Sequence, residues 1–330
     1  MIAEALWDEA VKAIDDADEV ALVCHVNPDP DAMGSMLGLA CFLAERGTRV
    51  VAAWPNDPTE PPRWLEALPG REHLVAPRDL PKQPKLLITL DAAAANRLDG
   101  LIHLLDRAPT IICIDHHRTN PGFGTINLID GEAAATAQLV FQLIERMGGG
   151  FGPDTAANLY AGLITDTGRF QFEATSPEVL RIAAALREQP FDHARLAQAL
   201  YEDNSLAYLR LLGAVLDRAA LVEEAGLVWT HLSKADLEGA GVSIQDTDDL
   251  IDVIRTARES DVSAVLKEQR DGGWKVSMRS RGATNVAEVA EVFGGGGHRL
   301  AAGYSSDGSL DETVKALTER LTAARASRAS

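Results

Sequence analysis

Through the first part of the chain, short and wholly apolar runs alternate with helical patterns. EVALVCH (19–25), TRVVAAW (48–54), KLLITLD (85–91) and TIICIDHH (110–117) read as strands, with helical periodicity over Gly34–Arg46 and Leu98–Asp106 between them. A strand covered on both faces shows a continuous apolar run rather than alternation, so the pattern predicts an α/β fold with a parallel sheet and flanking helices. Ligands of open α/β sheets bind outside the carboxyl ends of the strands. Three of these strands end in imidazole or carboxylate, so His25, Asp91 and Asp115 to His117 are expected to converge on one edge.

From Ala133 to about Leu216 the pattern is mostly helical, with start signals at Pro153-Asp154, Ser176-Pro177 and Asp192. SLAYLRLLGAVLDRAA reads as a linking helix. Beyond it, LVEEAGLVWTHL and DVSAVLKEQRDGGWKVSMRS predict antiparallel hairpins turning at Ala225-Gly226 and Asp271-Gly272-Gly273. The division expected is a first domain over 1–190, a linker over 191–217 and a smaller domain over 218–330.

Composition narrows the class. A chain of 330 residues, 46% hydrophobic, is long enough for two cores. Cys24, Cys41 and Cys113 have no metal-like spacing and read as small buried hydrophobes of a reducing compartment. The acidic, helix-periodic start MIAEALWDEAVKAIDDADEV lacks the basic and apolar regions of a leader, and no stretch has the length of a membrane span. A cytoplasmic protein with no membrane partner is expected. A net charge of −18 argues against long nucleic acid as a partner, yet from Arg270 to Ser330 nine Lys and Arg stand against seven Asp and Glu. A small anion held by a few cations or by bound metal fits that balance.

HVNPDPDAMGS (25–35) sets one imidazole and two carboxylates where a buried strand should end. Taken alone it is a proline-stiffened turn, with Gly34-Ser35 opening the helix that follows. His25, Asp29, Asp31, Asp91, Asp115, His116, His117 and Asp166 all stand at or just past the end of an apolar segment, where an uncompensated carboxylate is unfavourable. Each singly has an ordinary reading as a helix cap or a satisfied core histidine; together they point to divalent cations. Carboxylate and imidazole without thiolate suit Mn²⁺, Mg²⁺, Fe²⁺ or Co²⁺. Two such ions roughly 3.5–4 Å apart can share a carboxylate, lower the pKa of a water and clamp both oxygens of a phosphoryl displacement.

Near the end, VFGGGGHRLAAG (292–303) contains four successive glycines whose backbone N–H groups no side chain shields. A flexible hinge or hairpin turn is the plain reading. A phosphate contact is the other, with His298 and Arg299 adding donors.

In combination, HVNPDPDAMGS, the isolated Asp91, the Asp115-His116-His117 triplet and Asp166 resemble the four motifs of the DHH phosphoesterases. KVSMRSRGATNVAEVAEVFGGGGHRLAAG resembles the DHHA1 domain that follows in one branch of that family, and the likeness spans about Asp18 to Gly303. It implies a DHH domain with a parallel sheet and a smaller α/β DHHA1 domain with a mixed sheet. It also implies two metal ions, usually Mn²⁺: His25, Asp29 and Asp91 on one, and Asp31, Asp91, His116 and Asp166 on the other, with Asp91 bridging. His117 would lie beside the substrate phosphate, supported by Asp115, while Arg279, Ser280, Asn285, Gly295, Gly296, Gly297 and His298 would bind the nucleotide, with Arg279 also stabilising phosphoryl charge. Homodimerisation is a further family expectation.

The activity expected on this basis is a Mn²⁺-dependent phosphodiesterase acting on short oligoribonucleotides, dimers to pentamers, in a cleft between domains, and on 3′-phosphoadenosine 5′-phosphate. Two alternatives stand beside it: a cyclic di-AMP or pApA phosphodiesterase, and a nucleotide-sensing, RNA-binding module without catalysis.

Overall fold

The computed structural model describes residues 2–56, 61–270 and 272–329. The chain divides into two units, Met1–Asp203 and Asn204–Ser330.

In the first unit, β1 (Glu19–Cys24), β2 (Arg49–Ala53), β3 (Leu86–Leu90), β4 (Thr110–Asp115) and β5 (Ile126–Ile129) form one parallel sheet in the order β2-β1-β3-β4-β5. Around it lie α1 (Glu4–Asp15), α2 (Pro30–Glu45), α3 (Thr136–Arg146), α4 (Pro153–Asp166), α5 (Pro177–Arg187) and α6 (His193–Tyr201). The central strands are buried almost throughout, which is why they read as unbroken apolar runs. One face packs Leu22, Ile88 and Ile112 with Met36, Leu39, Val140 and Leu159 from α2, α3 and α4. The other packs Val23, Leu87 and Ile111 with Leu98, Leu101 and Leu104. Cys24, Cys41 and Cys113 are free and buried.

The predicted α/β class and the four predicted strands are present, and Ser176 and Asp192 cap α5 and α6 through their side chains. Three details differ. The helix expected from Gly34 begins at Pro30, because Asp29 caps it and Pro30 occupies its first position. The helix expected over Leu98–Asp106 is a 3₁₀ helix over Ala95–Leu104, broken by positive φ (42°) at Asp99. The strand β5 is an addition, four residues being too short a run to carry a pattern.

The second unit opens with α7 (Leu206–Asp217), followed by β6 (Ala220–Val222), β7 (Leu227–Leu232), α8 (Lys234–Ala240), α9 (Leu250–Ile254), β8 (Val262–Glu268), β9 (Trp274–Ser280), α10 (Val286–Val292), β10 (Gly296–His298), β11 (Ala301–Ser306) and α11 (Leu310–Ala329). Its sheet has the order β10-β11-β9-β8-β7-β6. The two predicted hairpins are antiparallel, but β7 and β8 run parallel across the α8–α9 crossover, so the sheet is mixed. Of the turn expected at Asp271-Gly272-Gly273, Asp271 lies outside the described residues. One face of this sheet packs Val286, Leu317 and Leu321 of α10 and α11; the other packs Tyr208, Leu211 and Ile251 of α7 and α9. The segment expected as a linker, 191–217, holds two helices, α6 in the first unit and α7 in the second. Among the described residues no helix is long and apolar enough to cross a membrane.

Candidate metal centre

His25 follows β1, Asp91 follows β3, and Asp115 is the last residue of β4. These three strands are neighbours in a parallel sheet, so residues far apart in sequence emerge along one edge. Asp91 adopts positive φ (57°), an uncommon conformation for a non-glycine residue, while its N–H still donates to Ile114 O at 3.0 Å. Strain of this kind is sustained where surroundings over-determine it, often at functional sites.

The buried Asp91 carboxylate divides its oxygens between two imidazoles. Oδ2 lies 3.5 Å from His25 Nε2 and Oδ1 lies 3.5 Å from His116 Nε2. Thr136 Oγ1 donates to Oδ1 at 2.9 Å. Burial pushes the carboxyl up, but His25, His116 and His117 outweigh it and hold Asp91 below the usual carboxylate range.

Asp29 uses Oδ1 to cap α2, accepting from the N–H groups of Asp31 (3.1 Å) and Ala32 (3.0 Å), and turns Oδ2 to within 3.7 Å of His25 Nε2. Pro30 contributes a fixed φ at a position where its missing N–H costs nothing. Asp31, in the first turn of α2 and wholly buried, accepts from Thr136 N (2.7 Å), Ala137 N (3.0 Å) and Ser35 Oγ (3.2 Å). It thus caps α3 from another helix, satisfying amides that have no partner within α3. Burial and the carboxylates of Asp91 and Asp29 nevertheless raise its pKa well above the ordinary value.

Asp166, the last residue of α4, brings Oδ2 to 3.2 Å from His116 Nε2. It arrives there because α2 and α4 approach closely. A Cβ on Gly34 would fall 2.4 Å from Asn158 O, and one on Gly162 would fall 2.5 Å from Asp31 Oδ1.

Two overlapping groups match the expected ligand sets, His25, Asp29 and Asp91 in one and Asp31, Asp91 and His116 in the other, each with donor atoms within 4.8 Å of one another, and by the same measure Asp91 also lies with Asp115 and His117. Asp91 belongs to both. Both histidines have a backbone partner behind the ring, His25 Nδ1 lying 2.9 Å from Val26 O and His116 Nδ1 lying 3.3 Å from Ala133 O. An N–H at those positions leaves the lone pair on Nε2, facing the carboxylates. Arg97 Nη2, only a donor, lies 3.2 Å from His25 Nδ1 and favours the opposite tautomer, whereas a cation held at Nε2 would select the Nδ1–H form. Without a cation, burial opposes protonation of His25, but Asp29 and Asp91 prevail and raise it to about 10. Hard and borderline divalent cations fit this oxygen and imidazole set, which contains no thiolate.

His117 turns the other way. It presents Nδ1 rather than Nε2 to the carboxylates, 2.8 Å from Asp115 Oδ1 and 3.7 Å from Asp91 Oδ1, and Asp115 Oδ2 accepts from Asn120 Nδ2 at 2.6 Å. Burial disfavours the imidazolium, but the Asp115 hydrogen bond outweighs it and raises the His117 pKa.

Thr136 and Asn120 are not legible as site residues in the sequence. Thr136 sits among small residues as an ordinary helix-start residue, and Asn120-Pro121 reads as a turn.

The residues expected to bind nucleotide belong to the second unit. Arg279 and Ser280 end β9; Arg279 Nη1 donates to Met278 O (3.1 Å), and Ser280 Oγ accepts from Gly282 N (3.0 Å). Asn285 caps α10, its Oδ1 accepting from Ala287 N at 3.2 Å. The glycine run is more ordered than a hinge. Gly294 N and Gly295 N donate to Glu291 O and Ala290 O, while Gly296–His298 pair with β11. A Cβ on Gly295 or Gly297 would meet Gly303 O at 2.2 Å or Ala301 O at 2.6 Å, whereas one on Gly296 would meet nothing within 4 Å.

Residues 19–165 match the DHH family, N-terminal domain, and residues 229–323 match the DHHA1 domain. The bifunctional oligoribonuclease and PAP phosphatase NrnA of Thermus thermophilus is 37% identical over 321 residues, covering 96% of this chain and 94% of that protein. The cyclic-di-AMP phosphodiesterase GdpP of Geobacillus thermodenitrificans is 29% identical over 93% of this chain, which spans 48% of that longer protein. Among solved structures, an exopolyphosphatase-related protein from Bacteroides fragilis superposes with a TM-score of 0.90 at 28% identity, over 97% of this chain and 96% of that one.

Proposed function

The chain belongs to the DHH family and is a phosphoesterase with a DHHA1 domain, and on that premise we propose that it hydrolyses short oligoribonucleotides to mononucleotides and 3′-phosphoadenosine 5′-phosphate to AMP. The observation that carries the reading is the sharing of Asp91 between two ligand groups. His25, Asp29 and Asp91 would hold one Mn²⁺, and Asp31, Asp91, His116 and Asp166 a second. When bound, such ions neutralise phosphoryl charge and lower the pKa of a water.

The chain's own residues do the rest. Ala133 O favours the Nδ1–H tautomer of His116, Val26 O would accept the Nδ1–H of His25 once a cation occupies Nε2, the α3 amides fix Asp31, and Thr136 fixes Asp91. Asp115, itself held by Asn120, orients His117 so that Nε2 donates to a phosphoryl oxygen and supplies a proton as charge develops there. Arg279, Ser280, Asn285, Gly295, Gly296, Gly297 and His298 bind the nucleotide, with Arg279 matching a phosphate through its planar fork.

A second reading, hydrolysis of cyclic di-AMP or pApA, is supported by the similarity to a protein named as a cyclic-di-AMP phosphodiesterase. Product analysis for RNA dimers to pentamers, a long transcript, 3′-phosphoadenosine 5′-phosphate, pApA and cyclic di-AMP, each with Mn²⁺ and with Mg²⁺, tests both. Fast turnover of the short RNAs and the bisphosphate supports the first reading; a clear preference for cyclic di-AMP replaces it with the second. Efficient cutting of the long transcript with no preference for short RNA contradicts both.

A further inference from the structure

Three arginines from separate segments of the second unit converge on an open cavity of about 550 Å³. Arg258 follows α9, Arg281 follows β9, and Arg325 comes from α11. None belongs to the nucleotide-binding set above. We propose that this cavity is an additional binding site for a phosphate group.

The two carboxylates at its rim are already engaged. Asp261 Oδ1 accepts from Ala283 N at 3.1 Å and Oδ2 accepts from the Thr284 hydroxyl, so this side chain braces the loop that carries Arg281. Asp261 O also accepts from Arg281 N at 2.8 Å. Glu259 Oε1 accepts from Arg258 Nε at 2.9 Å. The lining therefore carries three guanidinium groups against two carboxylates, in a chain whose net charge is −18.

Arg281 and Arg325 are also held in place. Arg281 Nη1 donates to Ala257 O (3.1 Å), and Arg325 Nη1 donates to Glu223 O (3.4 Å). Arg325 reaches that carbonyl because Gly226, with φ 59°, has no side chain in the way: a Cβ there would fall 1.8 Å from Arg325 Nη1. Each guanidinium has five N–H donors, so these single contacts position the groups without exhausting them. Converging forks anchored this way suit the tetrahedral oxygens of a phosphate, and the volume lies in the range of small-ligand pockets. Preferring phosphate to a carboxylate rests on the nucleotide-hydrolase reading.

Arginine-selective labelling of the full chain with phenylglyoxal, read peptide by peptide by mass spectrometry in the absence of divalent metal, tests the site without requiring turnover. The probes are orthophosphate, AMP and a phosphorothioate trinucleotide, applied to the parent and to Arg279→Ala protein. We expect several-fold slower labelling of both Arg281 and Arg325, retained in Arg279→Ala. Protection by AMP or orthophosphate assigns the site to a free phosphate or mononucleotide; protection by the trinucleotide alone assigns it to the phosphates of a strand. No protection by any probe, or protection that vanishes in Arg279→Ala, overturns the proposal. A hydrolytically inactive parent that still shows the protection would separate failure of the function from failure of this site.

Discussion

Asp115 accepts the Nδ1 hydrogen bond of His117 at 2.8 Å while its other oxygen accepts from Asn120, so the second histidine of the triplet is oriented by a buried carboxylate. His116, its neighbour, uses Nδ1 on a backbone carbonyl instead. Adjacent residues of the same type thus have different partners at the same ring nitrogen. Replacing Asp115 with Asn keeps the shape but removes the charge that favours the imidazolium. The expected result is a fall in kcat of about 10²- to 10⁴-fold with metal content unchanged. Steady-state kinetics beside metal analysis of the same protein measures this, and parallel loss of metal would assign Asp115 to the metal site instead.

Thr136 acts through Asp91, to which its hydroxyl donates at 2.9 Å. Removing partners of this kind typically costs 10- to 100-fold in metal affinity. Thr136→Ala is expected to weaken Mn²⁺ binding by about that factor, and Thr136→Ser to restore it. Titration calorimetry of the three proteins decides; equal affinities would reduce Thr136 to a helix-start residue.

Gly162 faces Asp31. A Cβ there would lie 2.5 Å from Asp31 Oδ1 and 2.9 Å from Ala137 Cβ, both in well-packed surroundings. Gly162→Ala is expected to destabilise the protein by about 1–3 kcal/mol and to halve bound metal by displacing Asp31. Thermal melts and metal content check the two effects, and a variant with parental values in both would show that α4 moves aside freely.

In metal-free protein the His25 pKa stands at about 10, raised from its ordinary value of ~6.5. A raised folded pKa contributes stability that is complete below the unfolded value and is lost as pH rises through the folded one. The metal-free protein should therefore lose stability between roughly pH 6.5 and 10, and His25→Gln should flatten that slope. A cation at Nε2 must displace this proton, so Mn²⁺ binding at neutral pH should release protons and tighten as pH rises. Calorimetry in buffers of different ionisation enthalpy reads the release directly.

Much of this was legible because the strands are buried on both faces and the candidate ligands interrupt them at their ends. His25, Asp91 and Asp115 needed only strand polarity to be placed on one edge. The start of α2 was harder to see, since two prolines and two aspartates in seven residues resemble a loop until Asp29 is recognised as a cap and Pro30 as a first helical residue. Positive φ at Asp91 leaves no mark in KLLITLD, and the contacts of Thr136 to Asp31 and Asp91 join positions 105 and 45 residues apart. In the second unit, four glycines suggest mobility, whereas two close the end of α10 and the rest enter a strand. Pairing of β7 with β8 in parallel depends on a crossover that alternation along either strand does not report.

The most direct test of the account is hydrolysis of pApA and short RNA with Mn²⁺ by Asp91→Asn protein beside the parent, both confirmed as folded. We expect mononucleotides from the parent, and almost none from the variant together with loss of bound Mn²⁺, because Asp91 belongs to both ligand groups. Equal activity in the two proteins would contradict the role of Asp91, and nucleotide binding without hydrolysis by either would contradict the proposed enzymatic activity itself.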